Sequence, residues 1–391
     1  SLMRAIRTEQ LDIVPADSTF PFNRPSLNPQ PVSINLRIIL LGSHALYYQL
    51  DRMDPDFSDL FKVLVDFDTE IERSDLSVEQ YAGVIARLVR DEDLQHFERS
   101  AIAALAEHGA RIASKEGKIT ARFGRIADIA REASYLARKE GSADVSRKHV
   151  EETVKRTKHR ASLPSRRFQE LIDNNTIWVP VTGERAGQIN GLAVINAGNL
   201  MYGFPTRITA TIGAGTAGVI NIEDRAAMSG AIHTKGFQIL GGLIRHLLRT
   251  DHPLAFSASI TFEQSYGGID GDSASGAEIC CLLRALTSIP LKQSMAMTGA
   301  IDQHGRVQAS GGVNEKIEGF FDTCNASGLT GEQGVIIPAS NAGDLMLRQD
   351  VVAACKEDRF HIYSVERIED ALQILTGIPT GELDENGDYP E

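Results

Sequence analysis

The stretch Gly267-Gly268-Ile269-Asp270-Gly271-Asp272-Ser273-Ala274-Ser275-Gly276 sets a serine between a flexible loop and the start of a helix. Free backbone N–H groups and the helix dipole both favour an anion at such a place. Ser273 is therefore positioned either as a nucleophile with an oxyanion hole beside it or simply as a helix N-cap. A serine nucleophile needs a base. Lys316 is one candidate, in Gly311-Gly312-Val313-Asn314-Glu315-Lys316-Ile317, with Phe320 and Phe321 one turn further on. Burial among these apolar neighbours would make its proton labile, whereas a surface position would leave it a snorkelling lysine. Thr298, closing the strand-like Met297-Thr298-Gly299, has the right type to hydrogen-bond such an amine, and reads equally as an ordinary strand threonine.

The histidines offer less. His304 sits in Asp302-Gln303-His304-Gly305, a turn pattern, and reads as a solvated loop residue. His233 precedes an apolar helix and reads as a helix-start residue or a cleft residue. Ser275 stands where a GxSxG nucleophile elbow requires glycine. No GxxxxGK[ST] phosphate loop, Walker-B run or HExxH motif occurs, so this chain should neither hydrolyse ATP nor need a catalytic metal.

These residues need a scaffold. Arg37 to Gly42 reads as a buried strand, 44–52 as a short helix and Phe61 to Phe67 as a second strand. From about 74 to 160 apolar spacing becomes helical. Four helices are expected, with Ser77 and Gln80 as a capping box, Gly141 as a C-cap and Ser146 opening the fourth. Residues 161–175 make a polar helical joint around Pro164. Strand signals follow at 177–181, 191–195, 207–212, 255–262, 294–299, 305–309, 335–338 and 360–364. Helices are expected at 227–250, 274–288, 313–327 and 340–356, and the acidic tail beyond 380 reads as frayed.

The whole chain has 391 residues, 42% hydrophobic and 24% charged, which excludes a largely disordered or collagenous protein. With 40 Lys and Arg against 52 Asp and Glu, the net charge of −12 makes it a poor default nucleic-acid binder. No apolar run is long enough for a membrane helix. Four cysteines without ligand spacing fit a reducing compartment. The chain opens on Ser1, and its first 35 residues hold little apolar pattern, as though entering a domain midway.

Taken together, the motifs resemble the Lon protease family, in its LonB-like branch. The resemblance runs from Phe262 to Ser275, through Met297 to Gln308 and Gly311 to Phe321, and onto Glu184 to Val194 at the start of the same domain. It implies Ser273 as nucleophile, Lys316 as its partner and Thr298 as support for the lysine. Asp270 matches an aspartate of the preceding loop, and Asp272 with Ser273 would supply oxyanion N–H groups. The helices at 74–160 look like an AAA+ lid, with Arg125 near the sensor-2 position. Leu40 to Tyr48 looks like the sensor-1 strand, but Ser43 stands where asparagine is common there, and Leu60 lies near an expected arginine finger.

The implied architecture is α+β: residues 1–73 the end of an AAA+ α/β subdomain, 74–160 the helical lid and 161–391 the proteolytic domain. The resemblance further implies a serine endopeptidase acting on unfolded or damaged polypeptides, in a homo-oligomer with hexameric rings. ATP and magnesium would serve the longer parent protein but not this fragment, with a cytoplasmic location and no nucleic acid required. Two rivals remain: a non-catalytic nucleotide-sensing or assembly module, and a Ser-His hydrolase using His304.

Overall fold

Alternation of apolar side chains along the strands of residues 188–365 decides the architecture. In Gly334–Pro338, Val335 and Ile337 enter one core while Ile336 enters another. Met295 and Met297 likewise face away from Ala296, and Ile189 away from Leu192. Side chains two apart share a face of a strand. The central strands are therefore buried on both sides, with helices packed over each face.

The computed structural model describes residues 2–11, 30–197, 200–248 and 256–381. Much of the pattern-poor opening, the first residue of the strand expected at 255–262, the last residues of the helix expected at 227–250 and nearly all of the acidic tail lie outside them. The chain forms two units, Ser1–Thr69 and Glu70–Glu391.

In the first unit the helix His44–Met53 forms as expected, capped by Ser43, whose Oγ accepts the Leu46 N–H at 3.3 Å. The two strands expected beside it do not form. Residues 37–42 and 61–67 are irregular, and Ile39, Leu41, Val63 and Phe67 are exposed. A strand is stable only against a neighbour, and among the described residues none pairs with either run.

The second unit begins with a helical layer. Helices α1 (Asp75–Asp91), α2 (Arg99–Ala113), α3 (Phe123–Glu140) and α4 (Arg147–Ala161) enclose Tyr81, Ile85, Leu105, Ile126, Ala130, Ala133 and Val150. The capping box of α1 lies one turn earlier than expected. Ser74 and Ser77 bond reciprocally, because Ser77 is already inside the helix. Gly141 ends α3 at φ 72°, as a C-cap glycine should. Ser146 caps α4, and α5 (Leu163–Asp173) forms the joint around Pro164.

Among the described residues the large sheet has seven strands, β1 (Gln188–Ala197), β2 (Leu200–Ala214), β3 (Gly218–Asn221), β4 (Phe256–Phe262), β5 (Met295–Met297), β6 (Gly334–Pro338) and β7 (His361–Val365). Their order is β7-β6-β5-β1-β2-β4-β3. β7, β6, β5 and β1 run parallel, β2 is antiparallel to β1 and to β4, and β3 is parallel to β4. The result is a mixed α+β fold. Residues 177–181 are not a strand. Pro180 lacks an N–H for a ladder, and side chains hold the segment instead: the Trp178 N–H donates to Gln264, and Asn190 donates to the Pro180 carbonyl.

One face carries α6 (Ala231–Leu248), α7 (Ser275–Thr287) and, unread in the sequence, α10 (Ile368–Thr376). The other carries α8 (Val313–Ser327) and α9 (Gln349–Lys356), around Phe320, Phe321 and Phe360. The expected helix 340–356 is a 3-10 turn over Ala339–Asp344 followed by α9. A buried carboxylate fastens the helical layer onto α8. Glu318 accepts from Arg111 of α2 at 2.6 Å and from Lys158 of α4 at 3.1 Å. Arg111 also donates to the Met346 carbonyl.

Candidate active site

The two helical layers meet over the end of β5. α7 begins on one face just after Ser273, α8 carries Lys316 on the other, and Thr298 directly follows β5 between them. Backbone bonds fix this junction. The Gly299 N–H donates to the Ser273 carbonyl at 2.7 Å, the Gly276 N–H to the Gly299 carbonyl at 3.0 Å, and the Thr298 N–H to Ile336 of β6 at 3.1 Å.

Lys316 Nζ lies 2.8 Å from Ser273 Oγ and 3.0 Å from Thr298 Oγ1. The lysine is 2% exposed. Burial penalises its ammonium and pushes its pKa down to about 8, against a smaller opposing pull from the Asp272 carboxylate. The snorkelling alternative is thereby excluded. So is the N-cap reading of Ser273: the cap of α7 is Ala274, and the Ser273 hydroxyl bonds the lysine. The next serine does the structural work. Ser275 Oγ donates to the Asp272 carbonyl at 2.9 Å and accepts the Ile301 N–H at 3.0 Å, tying the loop to the strand beyond Gly299.

The approach of α8 to the sheet depends on two glycines. A Cβ on Gly203 of β2 would overlap the Glu315 carbonyl, and one on Gly319 would overlap the Gly203 carbonyl. Helix backbone and strand backbone touch there, on either side of Lys316, and this sets how far the amine reaches.

The other expected site residues fall elsewhere. Asp270 does not touch the Ser-Lys pair. Its Oδ1 accepts the N–H groups of Gly271, Ile232 and His233 at 2.9, 3.2 and 3.4 Å, capping α6, and these bonds lower its pKa. Asp272 contributes its carbonyl to Ser275 and its charge to Lys316. Among the described residues the N–H groups of Asp272 and Ser273 make no hydrogen bond. His304 is exposed in a turn held by Asp302, its ring edge-on to that of His246. His233 is buried, with Nε2 3.3 Å from Glu278 and Nδ1 2.9 Å from Ser229. Burial opposes its charge, but the Glu278 carboxylate together with the charges of Glu223 and Asp270 outweighs that and raises its pKa. Neither histidine is bonded to Ser273. Arg125 lies at the start of α3, and Ser43 spends its hydroxyl on the Leu46 N–H.

Sequence reasoning missed one member of the site. Ser310 Oγ stands 2.6 Å from Lys316 Nζ and 3.1 Å from Thr298 Oγ1. A serine before two glycines signals only a loop.

A buried lysine of depressed pKa hydrogen-bonded to a serine hydroxyl at a helix start can accept that hydroxyl's proton, here on a mixed sheet. Comparison with known proteins narrows the reading. A model of the LonB-like AAA domain matches residues 1–68, and one of the archaeal LonB AAA+ ATPase LID domain matches 96–160. The Lon protease (S16) C-terminal proteolytic domain matches 264–377. A putative Lon protease homolog of Escherichia coli (strain K12) is 33% identical over 380 residues, which are 96% of this chain and 64% of that protein. Its namesake in Haemophilus influenzae is 34% identical over 377 residues, 96% of this chain and 62% of that protein. An archaeal Lon protease of Thermococcus kodakarensis is 28% identical over 293 residues, 74% of this chain and 43% of that protein. The chain belongs to the Lon protease family, in its LonB-like branch. It spans less than two thirds of the length of these relatives.

Proposed function

We propose that the chain is the proteolytic part of a Lon-like endopeptidase in which Ser273 is the nucleophile and Lys316 the base. The observation that carries this reading is the 2.8 Å bond between the Ser273 hydroxyl and the amine of a lysine that is 2% exposed. Neutral Lys316 takes the Ser273 proton as Oγ bonds to the peptide carbonyl carbon. The N–H groups of Asp272 and Ser273 receive the oxyanion. As the tetrahedral adduct collapses, the C–N bond breaks and the Lys316 ammonium gives its proton to the leaving amine. Water then attacks the ester, with Lys316 again accepting a proton. The C–Oγ bond breaks, and the proton returns to Ser273. Thr298 steadies the amine throughout.

On this reading the whole protein acts on unfolded or damaged polypeptide, as a ring of copies driven by ATP and magnesium, in the cytoplasm, where its free thiols stay reduced. No phosphate-loop sequence occurs, and Ser43 is engaged as a helix cap. The basic surface of α4 and α5 gives no support to a nucleic-acid reading, because Arg147, Arg156, Arg160 and Arg167 are each paired with a glutamate.

The pH dependence of hydrolysis of an unstructured fluorogenic peptide tests the assignment. Only the neutral amine is a base, and with a pKa of about 8 roughly a tenth of it is neutral at pH 7. Turnover should rise through about pH 8 and level off above. A rate already level from about pH 7 upward would indicate an imidazole base and sink the Ser-Lys assignment.

A further inference from the structure

Three hydroxyls surround the Lys316 amine, and the Ser-Lys chemistry described above uses only those of Ser273 and Thr298. The third, Ser310, makes the shortest contact of the three, at 2.6 Å. An sp3 amine bonded to Cε has three remaining directions. In the neutral form two of them are N–H and one is the lone pair. All three hydroxyls lie within hydrogen-bond distance of that amine, Thr298 and Ser310 side by side 3.1 Å apart. We propose that Ser310 is a positioning residue: its oxygen takes one N–H of the neutral Lys316 amine, Thr298 takes the other, and the lone pair is left facing the Ser273 proton. This rests on the reading of Ser273 and Lys316 given above.

The surroundings of Ser310 support the role. Its side chain is buried. Its own N–H donates to Asn341 Oδ1 at 2.8 Å, and Asn341 in turn donates to Asp344 Oδ2 at 3.0 Å. Both partners lie in the 3-10 turn after β6. Gly312, at φ 65°, then turns the chain into α8, so that Ser310 comes to rest beside the tip of a side chain six residues further on. The Ser310 proton has the Gly311 carbonyl, 3.4 Å away, as an acceptor, which leaves oxygen lone pairs for the amine. Without Ser310, an N–H is unpaired and the amine is free to turn its lone pair from Ser273. The ammonium loses more than the neutral amine does, since hydrogen bonds to charged donors are the stronger. Loss of Ser310 therefore lowers the lysine pKa as well as the rate.

The test compares Ser310→Ala, Ser310→Cys and Ser310→Thr with the parent in steady-state peptide hydrolysis across pH, with thermal melting to confirm folding. Ser273→Ala runs alongside. Ser310→Ala should lower kcat about ten- to a hundredfold with KM within about twofold, the size expected for one buried hydrogen bond. The alkaline-rising limb should move to lower pH. Ser310→Thr should restore most of the rate, with Ser310→Cys between. A folded Ser310→Ala enzyme with the parent's kcat would overturn the proposal. So would a slowed enzyme whose limb stays put or moves up, or one that threonine fails to rescue, because either marks a loss of packing. Activity surviving in Ser273→Ala would instead bring down the underlying reading of the site.

Discussion

Lys316→Met is expected to reduce peptide turnover by about a thousandfold or more, the scale seen when one member of a nucleophile–base pair is removed. The expectation follows from where the amine sits. Among the described residues it is the only base hydrogen-bonded to Ser273, and the buried histidine nearest the loop, His233, is engaged with Glu278 and Ser229. Methionine fills nearly the same volume without an amine. It also removes a buried cation, so the fold should stand or gain slightly, since buried charges are costly to keep. Lys316→Arg should fail as well, because a guanidinium stays protonated at any accessible pH and cannot accept the serine proton. Steady-state hydrolysis with thermal melting separates these effects. Inactivity with an unchanged melt supports the base. Appreciable turnover by Lys316→Met would leave Ser273 without the partner assigned to it.

Gly203→Val should be the most damaging substitution away from the reacting groups. The Gly203 Cβ position is filled by the Glu315 carbonyl of α8, and the reciprocal Gly319 position by the Gly203 carbonyl. Both obstacles are backbone, so neither can swing aside as a flexible side chain would. Overpacking of this kind costs on the order of 3 kcal/mol. The helix must lift from β2, and Lys316 lifts with it, so hydrolysis should fall together with the denaturation midpoint. A variant with the parent's midpoint and rate would show that α8 is not seated by this contact.

The candidate residues were legible because their patterns are local, and the family resemblance, not their spacing, joined them into one site. Ser273, Lys316 and Thr298 each sit in a short pattern of glycine and apolar neighbours, and the bounds of α8 follow from Gly312 and the apolar spacing behind it. What stayed hidden depends on partners distant in sequence. Asp270 reads as a loop acid until α6, some forty residues earlier in the chain, places its N-terminus over it. Nothing local in the sequence marks Glu318, which Arg111 and Lys158 from another layer hold buried. Ser310 is six residues from Lys316, a spacing with no meaning until the turn at Gly312 is known. The runs 37–42 and 61–67 mislead for a different reason. Apolar residues signal a strand only where a neighbouring strand covers them, and periodicity says nothing about the neighbour.

The central claim is that Ser273 attacks the peptide bond. Its most direct test is hydrolysis of an unstructured fluorogenic peptide by the parent and by Ser273→Ala, purified identically and measured side by side at about pH 8.5, just above the Lys316 pKa of about 8. Cleavage by the parent is expected, with a rate indistinguishable from buffer for the variant. Equal cleavage by both would place the nucleophile elsewhere and contradict the claim.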